Sequence, residues 1–388
     1  MSTTSARRRA IGASATLLSG PVDLLDFLIP LWGGAVLGLS TSVVGWLVAA
    51  ELVVSVLMRP VAGYLADSRP RTRVAAVGAF LYSASCVLYA FADTPGMAFV
   101  AAAVGGVAGP LFWISLRAIA AEYLSDDSGT FAGLMSSEAL GSWIFWAPAM
   151  FLPASYGYSA VFIGLAAAAI AAAVRLLFVP KEPLVVREEF AGGTRGHVRR
   201  LAPLLALGVF VTAAEAGVGL ALLLQLQALN LQVWQIALVY LPGGIALTIL
   251  PRLLHGLVER WGRKPGYAAA SIASAGSAAA LAVSPPVIVI AALWVFVCAA
   301  LGLLYPLQKT LVSEASGDRV ARGMSLQANA DTIGAAIGVV AAGALIAGGW
   351  WAPAYLVFSA VIASGTVLGP WAIDRIGRDR PLAETAEQ

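Results

Sequence analysis

Long apolar runs separated by short polar breaks repeat from one end of the chain to the other. Set against the turn signals, they predict twelve helical spans, at 11–37, 43–66, 73–91, 97–121, 130–152, 157–179, 201–228, 234–257, 265–283, 287–312, 323–346 and 352–373. A hydrocarbon core about 30 Å thick takes about 20 mostly apolar helical residues per crossing, and each run is about that long. The short alternating segments of a membrane β-barrel are absent. The pattern predicts an all-α polytopic membrane protein.

Between the sixth and seventh spans lies Lys181–Arg200, the only long polar segment and rich in Glu, Arg and Gly. It divides the chain into an N-terminal six-helix bundle, 1–180, a linker, 181–200, and a C-terminal six-helix bundle, 201–388. Composition agrees with the patterning: of 388 residues, 60% are hydrophobic and only 12% charged, against about 25% charged in soluble domains. The net charge of +3 matters less than its placement. Lys and Arg gather at both termini and in the even-numbered connections, including Arg69, Arg71, Lys181, Arg260, Arg263, Lys264, Arg319 and Arg375. Odd-numbered connections carry none, and Asp93 is their only charge. By the positive-inside rule both termini and the linker are cytoplasmic, which for a plasma (inner) membrane fixes the orientation. The first apolar run carries Asp23 and Asp26 and lacks a small-residue cleavage site, so it reads as a retained helix. Cys86 and Cys298 both sit in apolar runs and read as small buried hydrophobes.

The halves superpose at an offset of 192 to 193 residues. Arg59 then falls on Arg252, Gly109 on Gly302, Phe112 on Tyr305, Glu138 on Asp331 and Gly141 on Gly334, while Asp67 meets Glu259 and Arg71 meets Arg263. Two six-helix halves joined by one cytoplasmic linker are the signature of a duplicated transporter.

The connection after the second span runs Gly63, Leu65, Ala66, Asp67, Arg71, and its later copy keeps Leu257, Glu259, Arg260, Gly262, Arg263 and Lys264. These positions resemble the Gly-x-Leu-Ala-Asp-Arg-x-Gly-Arg-Lys/Arg motif of the major facilitator superfamily, with departures at Ser68, Pro70 and His255. Asp318–Gly323 is similar to that family's Arg-Gly turn after the tenth helix, whereas Asp126–Gly129 lacks the arginine. Of the glycine-proline motif of many exporters only Gly141 and Pro148 remain on the fifth span. The resemblance is to proton-linked drug antiporters of that superfamily. It implies that the motif latches one conformation, a role that falls on Asp67, Arg71, Glu259 and Arg263, and that helices one, four, seven and ten line a central cavity. The plainer reading is that basic loop residues only set topology.

An ionisable residue inside a span is costly and marks a candidate site. Asp23 and Asp26 share one face of the first span, and Glu215 lies within a residue of the matching position on the seventh. A carboxyl in a low-dielectric cavity titrates closer to the working pH range, which suits it to carry a proton. The alternative is a carboxyl satisfied by Ser19 or by backbone at the Gly20-Pro21 break. Arg117 with Glu138, and Lys309 with Asp331, read as two pseudo-symmetric ion pairs, either gates or permanent neutralising pairs. Glu51 lies opposite Gly244, without a matching charge.

Trp32, Phe112, Trp113, Gln225, Tyr305 and Gln308 are candidates for the cavity wall, with Trp143 and Trp146 beside them. Aromatic walls with a few carboxylates suit an amphipathic or cationic organic molecule; interhelical packing or an interface belt is the alternative. Trp46, Trp234, Trp350 and Trp351 fit the belt. A phosphate-binding loop is absent, and His197 and His255 are too far apart to suggest a metal site. The expectation is a monomeric secondary transporter rather than an enzyme, without cofactor, metal or nucleic-acid partner. It moves a small molecule against protons across the bilayer, by efflux ahead of symport or uncoupled facilitation; a non-transporting sensor is the remote alternative.

Overall fold

The structure is a computed structural model that describes residues 3–122, 130–149, 151–179, 194–316 and 320–378. Twelve helices follow in order: α1 Thr3–Ala35, α2 Thr41–Ser68, α3 Arg71–Ala90, α4 Pro95–Glu122, α5 Thr130–Ala149, α6 Leu152–Leu177, α7 Thr194–Ala228, α8 Val233–Trp261, α9 Arg263–Leu281, α10 Val287–Ser316, α11 Val320–Ala347 and α12 Trp351–Arg378. Among the described residues there is no strand, and nine helices are long and apolar enough to cross a membrane by themselves. The protein is an all-α, twelve-helix polytopic membrane protein.

Helix limits follow local chemistry. Ser40 caps α2 by accepting a hydrogen bond from Val43 N at 3.4 Å. The turn from α2 to α3 uses extended Arg69 and then Pro70, whose fixed φ of −57° starts the next helix. Between α8 and α9 a single residue suffices: Gly262 has φ 89° and ψ 160°, a region essentially reserved for glycine. Gly157 holds φ 78° and ψ 167° near the start of α6, breaking the helix where the apolar pattern begins.

The chain divides into two compact units, Met1–Glu189 with Asn230–Trp234, and Phe190–Leu229 with Gln235–Gln388. In the first unit α1 packs on α5 and α6, α3 on α4 and α6, and α2 on α4. The second unit repeats the scheme, with α7 on α11 and α12 and α9 on α10 and α12. The α1–α5 seam is tight: a Cβ at Gly141 would run into Thr16 O and Ser19 Oγ. Ser19 Oγ donates to Glu138 O at 2.7 Å and Thr16 Oγ1 to Ser137 O at 2.9 Å. At α7–α11, a Cβ at Gly334 would meet Thr212 Oγ1 and Val209 O. Small residues let such backbones approach where lipid supplies no hydrophobic drive. Inside the first unit Trp32 meets Tyr89 and Phe162 edge-on, at 5.5 and 5.6 Å between ring centroids.

Candidate functional site

Helix α1 carries Pro21 and Pro30, each of which removes a backbone donor within a span that also holds Asp23 and Asp26. Both aspartates are exposed, but their surroundings differ. Asp23 Oδ2 accepts a hydrogen bond from Ser142 Oγ of α5. Asp26 has no hydrogen bond or ion pair among the described residues. Its charge acts on Glu51 of α2, which is half-buried and has no such partner either. The Glu51 carboxylate lies against α4, where a Cβ at Gly105 would stand 3.1 Å from Glu51 Oε1 and 3.1 Å from Ser85 Oγ. Gly105 therefore makes the room this carboxylate occupies. Glu51 has no charged counterpart in the other half, and its position inside a span is the only signal for it in the sequence.

The charge of Arg117 acts on Glu138, but no direct ion pair closes between them. The Arg117 guanidinium instead lies over the Trp113 ring, 5.9 Å from its centroid. In the second unit the expected Lys309–Asp331 pair does not form. Lys309 is exposed, and Asp331 Oδ1 takes a 2.7 Å hydrogen bond from Gln327 Nε2 one turn earlier on α11. A Cβ at Gly208 would collide with Gln327 Nε2 and lie 2.9 Å from Asp331 Oδ1. That glycine draws Asp331 toward α7, away from Lys309 on α10. Asp331 acts there on Glu215, which is half-buried and has no hydrogen bond of its own.

Four expected wall residues are buried in this structure. Trp32 is sealed against Tyr89 and Phe162, and Phe112 is fully buried. Gln225 accepts from Tyr355 Oη at 2.6 Å and donates to Ser284 Oγ at 3.2 Å. Gln308 donates to Tyr267 Oη at 2.8 Å. A buried amide with satisfied partners holds a fold together, and in this conformation these four have no free face. Trp113 and Tyr305 keep part of their surface open. Trp146 packs on Phe27 at 4.9 Å, and Trp143 is exposed.

At the connection after α2, the contacts of Arg71 include Nε to Ala66 O at 3.1 Å, Nη1 to Ala118 O of α4 at 3.4 Å, and Nη2 to Asp67 Oδ1 at 3.5 Å. The later copy uses side-chain partners: Arg263 Nη1 meets Glu314 Oε2 of α10 at 2.7 Å, and Lys264 pairs with Asp374 of α12. The Glu259 and His255 side chains lie outside the described residues, as do the linker at 181–193, Asp126–Gly129 and Asp318 with Arg319. Among the described residues no group of His, Cys, Asp and Glu gathers to hold a metal.

The fold is similar to the crystal structure of a mutant of the nucleoside transporter NupG, with a TM-score of 0.77 at 14% identity over 96% of this chain and 100% of that one. It is similar as well to a D-xylose-proton symporter, with a TM-score of 0.72 at 15% identity over 94% and 97%. The inward-open xylose transporter XylE from E. coli gives 0.71 at 15% identity over 93% and 94%. No curated protein matches the sequence. The profile of the Major Facilitator Superfamily matches residues 11–286 and 253–388. A twelve-helix chain built from two similarly packed units, matched by that profile over nearly its whole length, belongs to the major facilitator superfamily of membrane transporters.

Proposed function

We propose that the protein is a proton-coupled secondary transporter of a small organic molecule, working by alternating access of its two halves with both termini on the cytoplasmic side of the plasma (inner) membrane. The observation that carries this reading is the set of carboxylates within spans that have no cationic partner among the described residues: Asp26 and Glu51 in the first unit and Glu215 in the second. Acids inside a span without a countercharge are expensive in a membrane unless they take up a proton during the working cycle. Half-buried Trp113 and Tyr305 are the aromatic candidates for substrate contact, and Asp67 with Arg71 is the candidate latch.

Efflux by proton exchange is the first reading of direction, from the acids on α1 and the aromatic residues of α4 and α10. Uptake by symport is the second, supported by the likeness of the fold to the D-xylose-proton symporter. Proteoliposomes decide between them once a screen in an expressing strain has supplied a substrate. Antiport drives substrate and protons in opposite directions, symport in the same direction. Flux that ignores an imposed pH gradient would sink the coupling proposal.

A further inference from the structure

The contacts of α1 on α5 climb both helices in step. Ser19 Oγ meets Glu138 O, Asp23 meets Ser142, and Phe27 stacks on Trp146, each rung about one turn beyond the last on both helices. Ser142 stands at a branch point on this ladder. Its Oγ lies within hydrogen-bond reach of two acceptors, Asp23 Oδ2 across the seam and, at 3.2 Å, Glu138 O on its own helix. A serine hydroxyl has one hydrogen to give, and lone pairs with which to accept. Glu138 O already receives Ser19 Oγ from α1 at 2.7 Å.

The second seam dispenses with this arrangement. At the 193-residue offset Asp23 and Ser142 become Ala216 and Ala335. Thr212, at the position of Ser19, donates to Gly208 O of its own helix at 2.8 Å. Two alanines serve there, so packing alone does not call for a carboxylate and a hydroxyl. Asp23 is exposed and has no ion pair among the described residues. The helices packed on α1 bring Glu138 from α5, Glu51 from α2 and Arg117 from α4, besides Asp26 on α1 itself. The charge of Asp23 acts on Asp26 and Glu138. Arg59 and Asp67 lie two turns or more beyond Glu51 along α2, and Arg175 of α6 lies beyond the Ser14–Ala172 contact, about two turns of α1 from Asp23.

We infer that Ser142 is a positioning residue that reads the charge of Asp23 and passes it to the α1–α5 seam. With Asp23 ionised, the Ser142 hydroxyl donates to Oδ2 and leaves Glu138 O to Ser19. When a proton from water forms an O–H bond on Asp23, that O–H donates to Ser142 Oγ, and the Ser142 hydrogen turns to Glu138 O. No covalent bond of Ser142 breaks; its hydrogen rotates about Cβ–Oγ. The carbonyl then receives two hydroxyls, and the Ser19 bond that crosses the seam weakens. Loss of the proton to water reverses each step. This rests on the proton-coupled reading above and gives Asp23 a role that Asp26, which has no such partner, does not share.

Infrared titration of the full chain in liposomes tests this without a substrate, through the C=O band of protonated carboxyls that Asp23→Asn removes. Ser142→Ala should move the midpoint of that band up by about one pH unit, a tenfold gain in proton affinity, because the ionised form loses its donor. Ser142→Thr keeps a hydroxyl and should restore the midpoint. Hydrogen exchange over residues 12–23 and 134–145 needs no Ser142 variant. Corrected for intrinsic rates, it should follow pH in the unaltered protein and be constant in Asp23→Asn. A midpoint that Ser142→Ala leaves in place, one that Ser142→Thr does not restore, or seam exchange that follows pH equally in Asp23→Asn overturns the inference. Flux of the unaltered protein that is indifferent to pH would sink the coupling proposal alone and leave the titration standing.

Discussion

The seam between α1 and α5 and the seam between α7 and α11 are the same contact built twice, and they differ in an instructive way. At the 193-residue offset Gly141 matches Gly334 and Ser19 matches Thr212, so glycine meets hydroxyl in both. One step along, the sizes exchange. Gly20 on α1 receives Phe145 of α5, whereas at the matching positions Ala213 on α7 receives Gly338 of α11. The acids diverge beside these contacts. Glu138 lies near Arg117 with Leu134 and Ala15 at the neighbouring positions, while its counterpart Asp331 has Gln327 and Gly208 there. A repeat thus keeps its backbone distances and releases its polar chemistry, because the first are shared by every neighbour and the second depends on two or three side chains.

The largest effects come from forcing the seams apart. Gly141→Leu and Gly334→Leu each place a side chain where backbone and hydroxyl already sit, and should cost about 3 kcal/mol or more by overpacking, read as loss of folded protein in a detergent melt. The size exchange gives a sharper version. Gly20→Ala should destabilise alone, and Phe145→Gly alone should leave a void. The pair of substitutions should recover part of the sum, since contacting sites do not add. Simple additivity would show that the two seams are not interchangeable solutions.

The short link between α8 and α9 differs from its partner between α2 and α3 in the same spirit. Gly262→Ala puts a Cβ in a backbone region that costs about 2 kcal/mol for other residues. Pro70→Gly changes mainly the freedom of the unfolded chain, about 0.5–1 kcal/mol. Melting curves that rank the two the other way would break the comparison.

Much of this is legible in the sequence. Apolar runs and turn residues locate all twelve helices, because membrane thickness fixes their length and Gly or Pro fixes their ends. The motif after the second and eighth helices points to the family, and Gly262 survives in its later copy because the backbone there demands a glycine. Side-chain direction is less legible. Asp331 can be paired with Lys309 on depth alone, but the space opened by Gly208 on another helix turns it to Gln327. Gln225 and Gln308 read as cavity polars until Tyr355 and Tyr267, far along the chain, supply their partners. Glu51 lacks a symmetric mate, and the charged residues inside the spans of this repeat do not keep their partners from one half to the other.

The acids test that divergence in function. Glu215→Gln and Asp26→Asn should each reduce gradient-driven transport by about tenfold or more, equivalent to about 1.4 kcal/mol on the affected step. Asp331→Asn should alter the pH profile of transport through its neighbour Glu215. Lys309→Ala should change that profile little, because Lys309 has no ion pair to lose among the described residues. A strong pH effect at Lys309 with none at Asp331 would restore the symmetric pair that the structure replaces.

The smallest effects belong to the arginines of the connections after α2 and α8, and there the halves should separate by salt. Arg263 reaches Glu314 across α9 and α10 through two side chains that are 47% and 33% exposed. Such a pair is screened by salt and contributes about 0.5 kcal/mol. Arg71 instead holds the carbonyls of Ala66 and Ala118, and its ion-pair partner Asp67 is 79% exposed. Glu314→Gln should therefore lower the melting temperature slightly at low ionic strength and not at high. Asp67→Asn should leave it unchanged at both, while Arg71→Ala should lower it at both, since the hydrogen bonds to the carbonyls go with the side chain. A salt-dependent loss for Asp67→Asn would mean that the first loop works by charge as the second does, and that the difference between the loops lies only in which helix the arginine reaches.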